Sequence, residues 1–593
     1  MREISVPASF ELSAQENLTD VVIDNAARRP DLEVLSRPSP DGWTPVSSRQ
    51  FLAEVSATAK GLIASGVQPG DRVGLLSKTR YEWTLFDFAI WFAGAVTVPI
   101  YETSSAEQVR WILSDSGAVT VVTETSAHEA MIVGLQPELP ALRQVLTIDG
   151  GAVAALEAAG AEVSDEQVTE RHRALTGASI ATIIYTSGTT GRPKGCELTH
   201  ANFLGLARSA TSIFGEFVNE DARTLLFLPL AHVFARYIQI LSMVAGSTLG
   251  HTPTVANLLD DLASFKPTYL LAVPRVFEKI YNGAEARAQG GGRGAIFARA
   301  ADTAIAYSQA QDKGGPGLAL RLQHALFDRL VYSKLRAATG GQLQASVSGG
   351  APLGQRLGHF FRGIGLPVIE GWGLTETTAP AAVNTLKVNK IGTVGRPLPG
   401  TSIRLGEDDE IQVKGVGVLA GYFNNPPGAQ SLEDGWFCTG DLGSIDEDGF
   451  ISIIGRKKEI LITAGGKNVV PAALEDHLRA HPLISQCIVV GDQRPFIGCL
   501  ITLDDEMLPT WLANNGKPAL SVEQAATDPD VRAELQRAVD AANTQVSKAE
   551  SIRKFAVLTT DFTEESGHLT PKMSLKRAVV MKDFADQVEA LYA

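Results

Sequence analysis

A loop rich in glycine and hydroxyl side chains, with one lysine, occupies residues 185–195, which read YTSGTTGRPKG. It follows an apolar run at 180–184, which predicts a buried strand that ends where the loop begins. Glycines let backbone amides approach an anion closely, and hydroxyl groups and a lysine add further donors. The loop therefore predicts a polyphosphate ligand. It is not a P-loop, because no Lys-Ser or Lys-Thr pair follows its second glycine.

Further clusters with the same character follow at four places along the chain. Alone, each could be an ordinary tight turn or a solvated acid, but their occurrence together and in this order indicates one composite site. They read SGGAP at 348–352, EGWGLTE at 370–376, WFCTGD at 436–441 and GGKN at 465–468.

The elements that must position these clusters alternate between short apolar runs and longer amphipathic ones. Strands are predicted at 224–228, 268–273 and 345–348, and helices at 231–245 and from Arg275 onward. Such alternation predicts an α/β fold with parallel sheets, in which ligands bind at the carboxyl ends of strands. Residues 412–454 are instead rich in short strands and turns. A domain boundary is predicted at 455–458, where the short connection would act as a hinge.

Composition restricts the function class. The 593 residues exceed one ordinary domain, and 52 basic against 66 acidic residues give a net charge of −14. That balance argues against a nucleic-acid partner. Four cysteines without a Cys-x-x-Cys pair indicate neither a disulfide framework nor a zinc site, and favour a reducing, cytoplasmic location.

No membrane span is expected. The N-terminus lacks the apolar core of a signal peptide. Two long apolar stretches, 83–100 and 225–245, are interrupted by polar residues, including Asp87 and Arg236. Since neither offers about 20 uninterrupted apolar residues, both are interpreted as buried strand–helix units.

Taken together, the clusters resemble the adenylate-forming (ANL) superfamily, which includes acyl-CoA synthetases, luciferases and peptide-synthetase adenylation domains. The resemblance covers nearly the whole chain. VPRVFEK at 273–279 and GRKKEILITAGGKN at 455–468 resemble long-chain fatty acyl-CoA synthetases of the actinobacterial FadD group. This resemblance implies an N-terminal domain (1–454) of two α/β subdomains plus a small β-barrel-like one. A hinge (455–458) and a small, mobile α+β C-terminal domain (459–593) would follow.

The resemblance also implies roles for individual residues. Phosphate contacts would come from Thr186, Ser187, Gly188, Thr189, Thr190, Gly191 and Lys194. The adenine and α-phosphate would meet Gly350, Ala351, Pro352, Glu370, Gly371, Trp372, Gly373 and Thr375. Glu376 would bind Mg²⁺, and Asp441 and Arg456 would contact the ribose. His232 and Trp372 would form the gate to the acyl site. Lys458 would be the hinge residue, and Gly465 and Gly466 would lie in the loop that enters the site in the second step.

One departure from the resembled pattern concerns the catalytic lysine near the C-terminus. Long-chain enzymes typically read L-T-P-T-x-K-x-K-R, whereas this chain reads LTPKMSLKR at 569–577, with Ser574 at the lysine position. Residues two apart share a face on an extended segment. Lys572 is therefore predicted to replace the missing lysine, and Lys576 is the alternative. Thr186, Lys194 and Glu376 are the other predicted catalytic residues.

The activity implied is an ATP-dependent fatty acid–CoA ligase that uses ATP, Mg²⁺ and coenzyme A. Two alternatives stay open: a fatty acyl-AMP ligase that transfers its acyl group to a carrier protein, and a catalytically idle acyl-binding homologue. The GGKN segment favours CoA as the acceptor. Acyl chain length, oligomeric state and peripheral membrane contact are not determined by the sequence.

Overall fold

The computed structural model describes residues 1–186, 192–254, 257–425, 432–570 and 575–593. The elements before the phosphate-type loop, and the strand after it, are β1 (Glu3–Val6), α1 (Leu18–Arg28), β2 (Glu33–Ser39), β3 (Gly42–Ser47), α2 (Ser48–Ala64), β4 (Arg72–Leu76), α3 (Tyr81–Phe92), β5 (Val96–Ile100), α4 (Ala106–Ser116), β6 (Thr120–Thr123), α5 (Ser126–Leu135), β7 (Gln144–Thr147), α6 (Ala152–Ala159), α7 (Asp165–Arg173), β8 (Ile180–Thr186) and β9 (Lys194–Thr199).

The middle of the chain continues the alternation of strands and helices. Its elements are α8 (His200–Phe214), β10 (Arg223–Leu226), α9 (Val233–Ala245), β11 (Thr248–His251), α10 (Leu258–Phe265), β12 (Tyr269–Ala272), α11 (Pro274–Gly290), α12 (Gly294–Gln311), α13 (Leu318–Phe327), α14 (Ser333–Ala338), β13 (Ala345–Ser348), α15 (Gln355–Gly363), β14 (Val368–Leu374), β15 (Ala379–Val383) and β16 (Arg396–Pro397).

Short strands and then a second helix–strand alternation complete the chain. The elements are β17 (Thr401–Leu405), β18 (Glu410–Gly415), β19 (Gly421–Tyr422), β20 (Leu432–Glu433), β21 (Trp436–Ile445), β22 (Ile451–Arg456), β23 (Leu461–Ile462), β24 (Asn468–Val469), α16 (Pro471–Arg479), β25 (Ile484–Val490), β26 (Ile497–Leu503), α17 (Leu508–Asn514), α18 (Val522–Thr527), α19 (Pro529–Asn543), β27 (Ile552–Leu558), α20 (Arg577–Asp583) and α21 (Ala585–Tyr592).

The described residues of the large N-terminal domain form four sheets. One has the order β19-β9-β8-β5-β4-β6-β7, in which β8, β5, β4, β6 and β7 are parallel and β9 and β19 are antiparallel additions. The second is β10-β11-β2-β3 and the third is β12-β13-β14-β15-β16. The sheets are mixed, whereas alternation alone predicted parallel ones. The antiparallel strands lie toward one end of each sheet: β9 and β19 in the first, β3 in the second, and β15 and β16 in the third.

An antiparallel sheet of six strands occupies the position expected for the small barrel-like subdomain. Its order is β1-β17-β18-β21-β20, and β22 pairs with β21. The smaller C-terminal domain contains the sheet β25-β26-β27 and the short hairpin β23-β24. The α/β class with a large and a small domain is therefore confirmed.

The two long apolar stretches are buried strand–helix units, as predicted. In α3 every residue except Glu82 is buried, and α9 buries ten of its thirteen residues. Among the helices of the described residues, none combines the length and apolarity that crossing a bilayer requires. All four cysteines lie in the described part of the chain, and none of them forms a disulfide.

Candidate active site

A cavity of about 2470 Å³ lies between the two domains and is lined by both. Most described residues predicted for the site meet there, although they come from distant parts of the sequence. The predicted residues in its wall are Thr186, His232, Gly350, Ala351, Pro352, Glu370, Gly371, Trp372, Gly373, Thr375, Glu376, Asp441, Arg456 and Lys458. Ser187, Gly188, Thr189, Thr190, Gly191 and Lys572 lie outside the described residues.

Asp441 is held between an aromatic ring and a cation. Its position on β21 pairs directly with Arg456 on β22. Arg456 Nε lies 2.9 Å from Asp441 Oδ1, and Trp372 Nε1–H donates to Oδ2 at 2.8 Å. The Asp441 side chain is only 5% exposed, so both donors stabilise the carboxylate in a largely buried place. Each carboxylate oxygen has two lone pairs and can still accept a ligand hydroxyl.

Glu370 fixes the turn that contains Gly350, Ala351 and Pro352. It lies on β14 opposite Ser348 of β13, and its Oε1 accepts a hydrogen bond of 2.9 Å from the Leu353 N–H. Burial raises the pKa of Glu370, while the backbone N–H groups of Leu353 and Gly392 oppose that rise. The geometry thus gives Glu370 a direct part in shaping the turn.

Gly373 occupies a place that no larger residue could take without movement of the backbone. A Cβ built there would lie 1.7 Å from the carbonyl oxygen of Ala379. The register of β14 against β15 shifts between Trp372 and Gly373, and Ala379 has a φ of +84°. This bulge leads into a short 3₁₀ helix, Thr375–Thr377, which presents Glu376 to the cavity.

Glu376 belongs to a small polar cluster near the start of β9. The Tyr422 hydroxyl donates to Glu376 Oε1 at 3.0 Å, and Lys194 Nζ lies 5.4 Å from the centre of the Tyr422 ring. Burial and the Glu376 carboxylate raise the pKa of Tyr422, so its hydroxyl stays a donor. Burial and Glu376 also raise the pKa of the Cys196 thiol, which therefore stays protonated and is a poor nucleophile. Lys194 is exposed and is not among the residues that line the cavity.

An apolar arm of the cavity runs along α9. His232 precedes this helix, and its Nδ1 accepts the Phe234 N–H at 3.1 Å. Beyond it, side chains spaced at one helical face line the arm: Val233, Phe234, Tyr237, Ile238 and Leu241.

Aromatic rings form the far end of this arm. Phe217 lies 5.3 Å from Phe214 and 6.3 Å from Tyr269, between ring centres. The Tyr269 hydroxyl is within hydrogen-bond distance of Ser242 and Ser247, at 2.9 and 3.1 Å. The ring positions are therefore fixed by both packing and hydrogen bonds. The cavity accordingly joins a polar end, around Asp441 and Glu376, to a long apolar end.

Comparison with known proteins identifies the family. The family described as "AMP-binding enzyme" matches residues 22–423, which is more than half of the chain. The chain belongs to the AMP-binding enzyme family. The family described as "AMP-binding enzyme C-terminal domain" matches residues 458–593.

Individual relatives of this AMP-binding enzyme cover its full length. It is 53% identical over 597 residues to the long-chain-fatty-acid–CoA ligase FadD15 of Mycobacterium tuberculosis, with 100% of both chains covered. Two solved structures share the fold. The A-PCP didomain of carboxylic acid reductase from Segniliparus rugosus, in complex with AMP, has a TM-score of 0.74 and 22% identity over 99% of this chain and 84% of that one. O-succinylbenzoate coenzyme A synthetase from Bacillus subtilis, in complex with ATP and magnesium, has a TM-score of 0.67 and 22% identity over 94% and 98%.

The C-terminal domain of this AMP-binding enzyme closes one side of the cavity. Thr570, Lys576 and Arg577 are in the wall. Arg577 Nη1 donates to Glu475 Oε1 at 2.6 Å, and the same oxygen accepts the Val489 N–H at 2.7 Å. Arg577 thereby ties the start of α20 to α16 and β25. Lys576, the alternative to Lys572 in sequence, lies directly beside this anchor.

Besides Lys194, two predicted residues of the C-terminal domain lie away from the cavity. Gly465 and Gly466 are not among its lining residues, and the turn that holds them is closed by Thr463, whose N–H donates to the Lys467 carbonyl at 3.0 Å. In this arrangement of the two domains, Lys576 and Arg577 face the cavity, and the Gly465–Gly466 turn does not.

A buried ion pair was missed by sequence reasoning. Asp87 and Arg236, the charges that interrupt the two long apolar stretches, pair with each other, and both side chains are 0% exposed. Arg236 Nε donates to Asp87 Oδ2 at 2.9 Å, and Arg236 also donates to Thr182 on β8. The pair therefore ties α9, which lines the apolar arm, to the strand that ends at Thr186. The signal was present in sequence, since one acid and one base each interrupted an otherwise buried stretch.

Proposed function

We propose that this protein is an ATP-dependent long-chain fatty acid–CoA ligase. A fatty carboxylate attacks the α-phosphorus of ATP, which releases pyrophosphate and leaves an acyl-adenylate. The thiol of coenzyme A then attacks the acyl carbonyl, which gives acyl-CoA and AMP. The observation that carries the proposal is the joined cavity, whose polar end suits a nucleotide and whose apolar arm suits an acyl chain. The full-length identity to FadD15 supports the same activity.

The polar end fits the nucleotide in detail. Asp441 would accept both ribose hydroxyls, and Trp372 and Arg456 hold its carboxylate in place for them. The turn fixed by Glu370 would contact adenine. Thr186 and Lys194 flank the loop whose residues would hold the β- and γ-phosphates, and they face each other across the β8–β9 pair.

Glu376 suits a magnesium ion that is held mainly by phosphates. Mg²⁺ in such sites takes one or two carboxylates plus phosphate oxygens and water. Among the described residues, no group of three or more His, Cys, Asp or Glu side chains could form a protein cage for a metal. Glu376 in the cavity wall therefore fits as a protein ligand, and the ion would neutralise phosphate charge.

Chemistry at phosphorus here rests on positioning and charge. The carboxylate of the substrate would itself be the nucleophile, so the reaction needs positioning and charge neutralisation and no covalent protein nucleophile. His232 at the mouth of the apolar arm would orient the acyl carboxylate or gate the arm. Lys572, with Lys576 as the alternative, would supply the cation at the α-phosphate.

The second step requires the C-terminal domain to move about residues 455–458. In the described part of the chain, every hydrophobic cluster lies wholly on one side of this segment. A rotation at Lys458 would therefore break no shared core, and it would bring Gly465 and Gly466 to the cavity. Glycine at both positions leaves room for the pantetheine arm of coenzyme A.

A coupled assay with ATP, palmitate and coenzyme A tests this function. We expect AMP and palmitoyl-CoA to form in equal amounts. AMP release without acyl-CoA would support the acyl-AMP ligase alternative. Absence of acyl-dependent pyrophosphate exchange would support the idle homologue. Lys572→Ala and Lys576→Ala, compared in the exchange assay, identify the lysine that acts in the first step.

A further inference from the structure

An exposed row of leucines runs along α13 and into the π-helical turn Asp328–Tyr332. Residues four apart lie on the same side of a helix, so the row forms one continuous apolar strip. Clustered exposed apolar side chains of this kind mark interaction surfaces more often than scattered ones do. The members and their exposed fractions are Leu318 (75%), Leu322 (66%), Leu326 (57%) and Leu330 (47%).

The opposite side of α13 is firmly packed, so the leucines are not exposed because the helix is loosely held. His324 stacks on Tyr307 of α12 with ring centres 3.9 Å apart, and its Nε2–H donates to the Gly363 carbonyl at 2.7 Å. Phe327 is 7% exposed in the core of this subdomain. The helix therefore has a defined orientation with its leucine row toward solvent.

The charge around the row is the reverse of the charge of the whole protein. Residues 318–338 contain four basic side chains and one acidic one, a net charge of +3, whereas the chain carries −14. Arg321, Arg329 and Lys334 are exposed. Arg321 and Arg329 each precede a leucine of the row, so they border it on one flank. An apolar strip bordered by arginines is the pattern of a helix that lies in the interface of an anionic membrane.

We propose that the leucine row, with Arg321, Arg329 and Lys334, docks this protein on an anionic lipid bilayer. The four leucines would enter the boundary between head groups and acyl chains, and the three cations would meet lipid phosphates. A second copy of the chain fits this face less well. A twofold dimer places the same patch against itself, which would bring two +3 surfaces together.

The location of the row relates it to the cavity. Helix α13 packs on α12, α12 packs on α11, and α11 contributes Tyr281 to the cavity wall. Docking would hold the helices that contribute Tyr281 to the cavity wall at the membrane surface. The inference goes beyond the proposed function and does not depend on it, because membrane binding is measured without turnover.

Vesicle co-sedimentation of the full chain tests the proposal. The vesicles are phosphatidylcholine alone or an equimolar mixture with phosphatidylglycerol, each at low and high ionic strength. We expect binding to the mixed vesicles that Leu322→Glu/Leu326→Glu weakens by more than about tenfold. Arg329→Glu should weaken binding at low salt and change it little at high salt. The milder Leu322→Gln/Leu326→Gln serves if the first pair folds poorly.

A matched control changes exposed apolar residues elsewhere. Val133→Glu/Val388→Glu replaces side chains that are 51% and 45% exposed and lie far from α13 in sequence. It should bind vesicles like the wild type, and all variants should keep their melting temperature. The proposal is overturned if the wild type does not sediment, or if the control pair loses as much binding as the leucine pair. A concentration-dependent dimer that the leucine substitutions abolish, without vesicle binding, would assign the face to a second copy instead.

Discussion

Replacing Phe217 by alanine should lengthen the acyl chain that the enzyme prefers. The apolar arm follows α9 from Val233 to Leu241, about 12 Å at 1.5 Å per residue. The Phe217 ring, 2% exposed, closes its far end with Phe214 and Tyr269. Tyr269 is held by Ser242 and Ser247, so removal of the Phe217 ring, unlike removal of Tyr269, opens space without breaking a hydrogen bond.

The size of the effect follows from the area that extra methylenes would bury. Each buried CH₂ contributes about 0.8 kcal/mol, so two more in the opened space contribute about 1.6 kcal/mol. That difference corresponds to roughly a 15-fold shift in kcat/KM toward an acid two carbons longer than the wild-type optimum. The shift should lie in kcat/KM for the fatty acid, with the KM for ATP unchanged, because the polar end of the cavity is untouched.

A panel of fatty acids from short to very long, assayed with ATP and coenzyme A, measures this profile. Loss of a buried Phe side chain costs about 3–5 kcal/mol of stability, so a control with the same cost is needed. Phe51→Ala serves, because Phe51 is 1% exposed and packs on Tyr81 and Phe88 away from the cavity. If Phe217→Ala keeps the wild-type profile, or Phe51→Ala shifts it equally, the acyl chain does not end at these rings.

Three further predictions concern the polar end and the domain contact. Asp441→Asn should raise the KM for ATP by about 10- to 100-fold, since hydrogen bonds to a charged acceptor are worth about 1.5–3 kcal/mol, and pyrophosphate exchange measures it. Arg275 Nη2 lies 2.8 Å from Asp504 Oδ2, so this ion pair stabilises the present arrangement of the two domains. Arg275→Ala should slow adenylation about tenfold and leave thioester formation from supplied acyl-adenylate unchanged. Burial raises the pKa of Asp476 to about 7. The folded protein therefore binds this proton more tightly than the unfolded chain, and the stabilisation is lost as pH rises through 7. Asp476→Asn, which also removes the ion pair with Arg479, should raise the melting temperature more at pH 8 than at pH 5. An equal change in melting temperature at the two pH values would refute the assignment.

Sequence patterns identified elements well where local periodicity and burial agree. The strand predicted at 180–184 is β8, and the helix predicted at 231–245 is α9, because both are buried on all or most sides. The strand β9 and the edge strand β19 were not distinguished from the loops around them. Their antiparallel pairing depends on partners that lie far away in the chain, since Gly421 pairs with Glu197.

The site itself was only partly accessible to sequence. Motif order placed Trp372 and Asp441 in one site, but their hydrogen bond across 69 residues could not be derived. Lys194 and Gly465 both lie off the cavity wall here. The position of Gly465 relative to the cavity depends on how the two domains are arranged, and that arrangement has no local sequence signal.

The leucines of α13 show why periodicity alone can mislead. A spacing of four predicts an apolar helix face, and such a face is normally buried against the core. Here the core is filled instead by the opposite side, through His324 and Phe327, so the leucine strip remains in solvent. The pattern determines which residues share a face, whereas the packing of neighbouring helices determines which face is inside. An apolar helix face that is left in solvent in this way lowers stability or solubility unless a partner covers it. A bilayer surface would provide that cover where it also supplies a substrate too apolar for water.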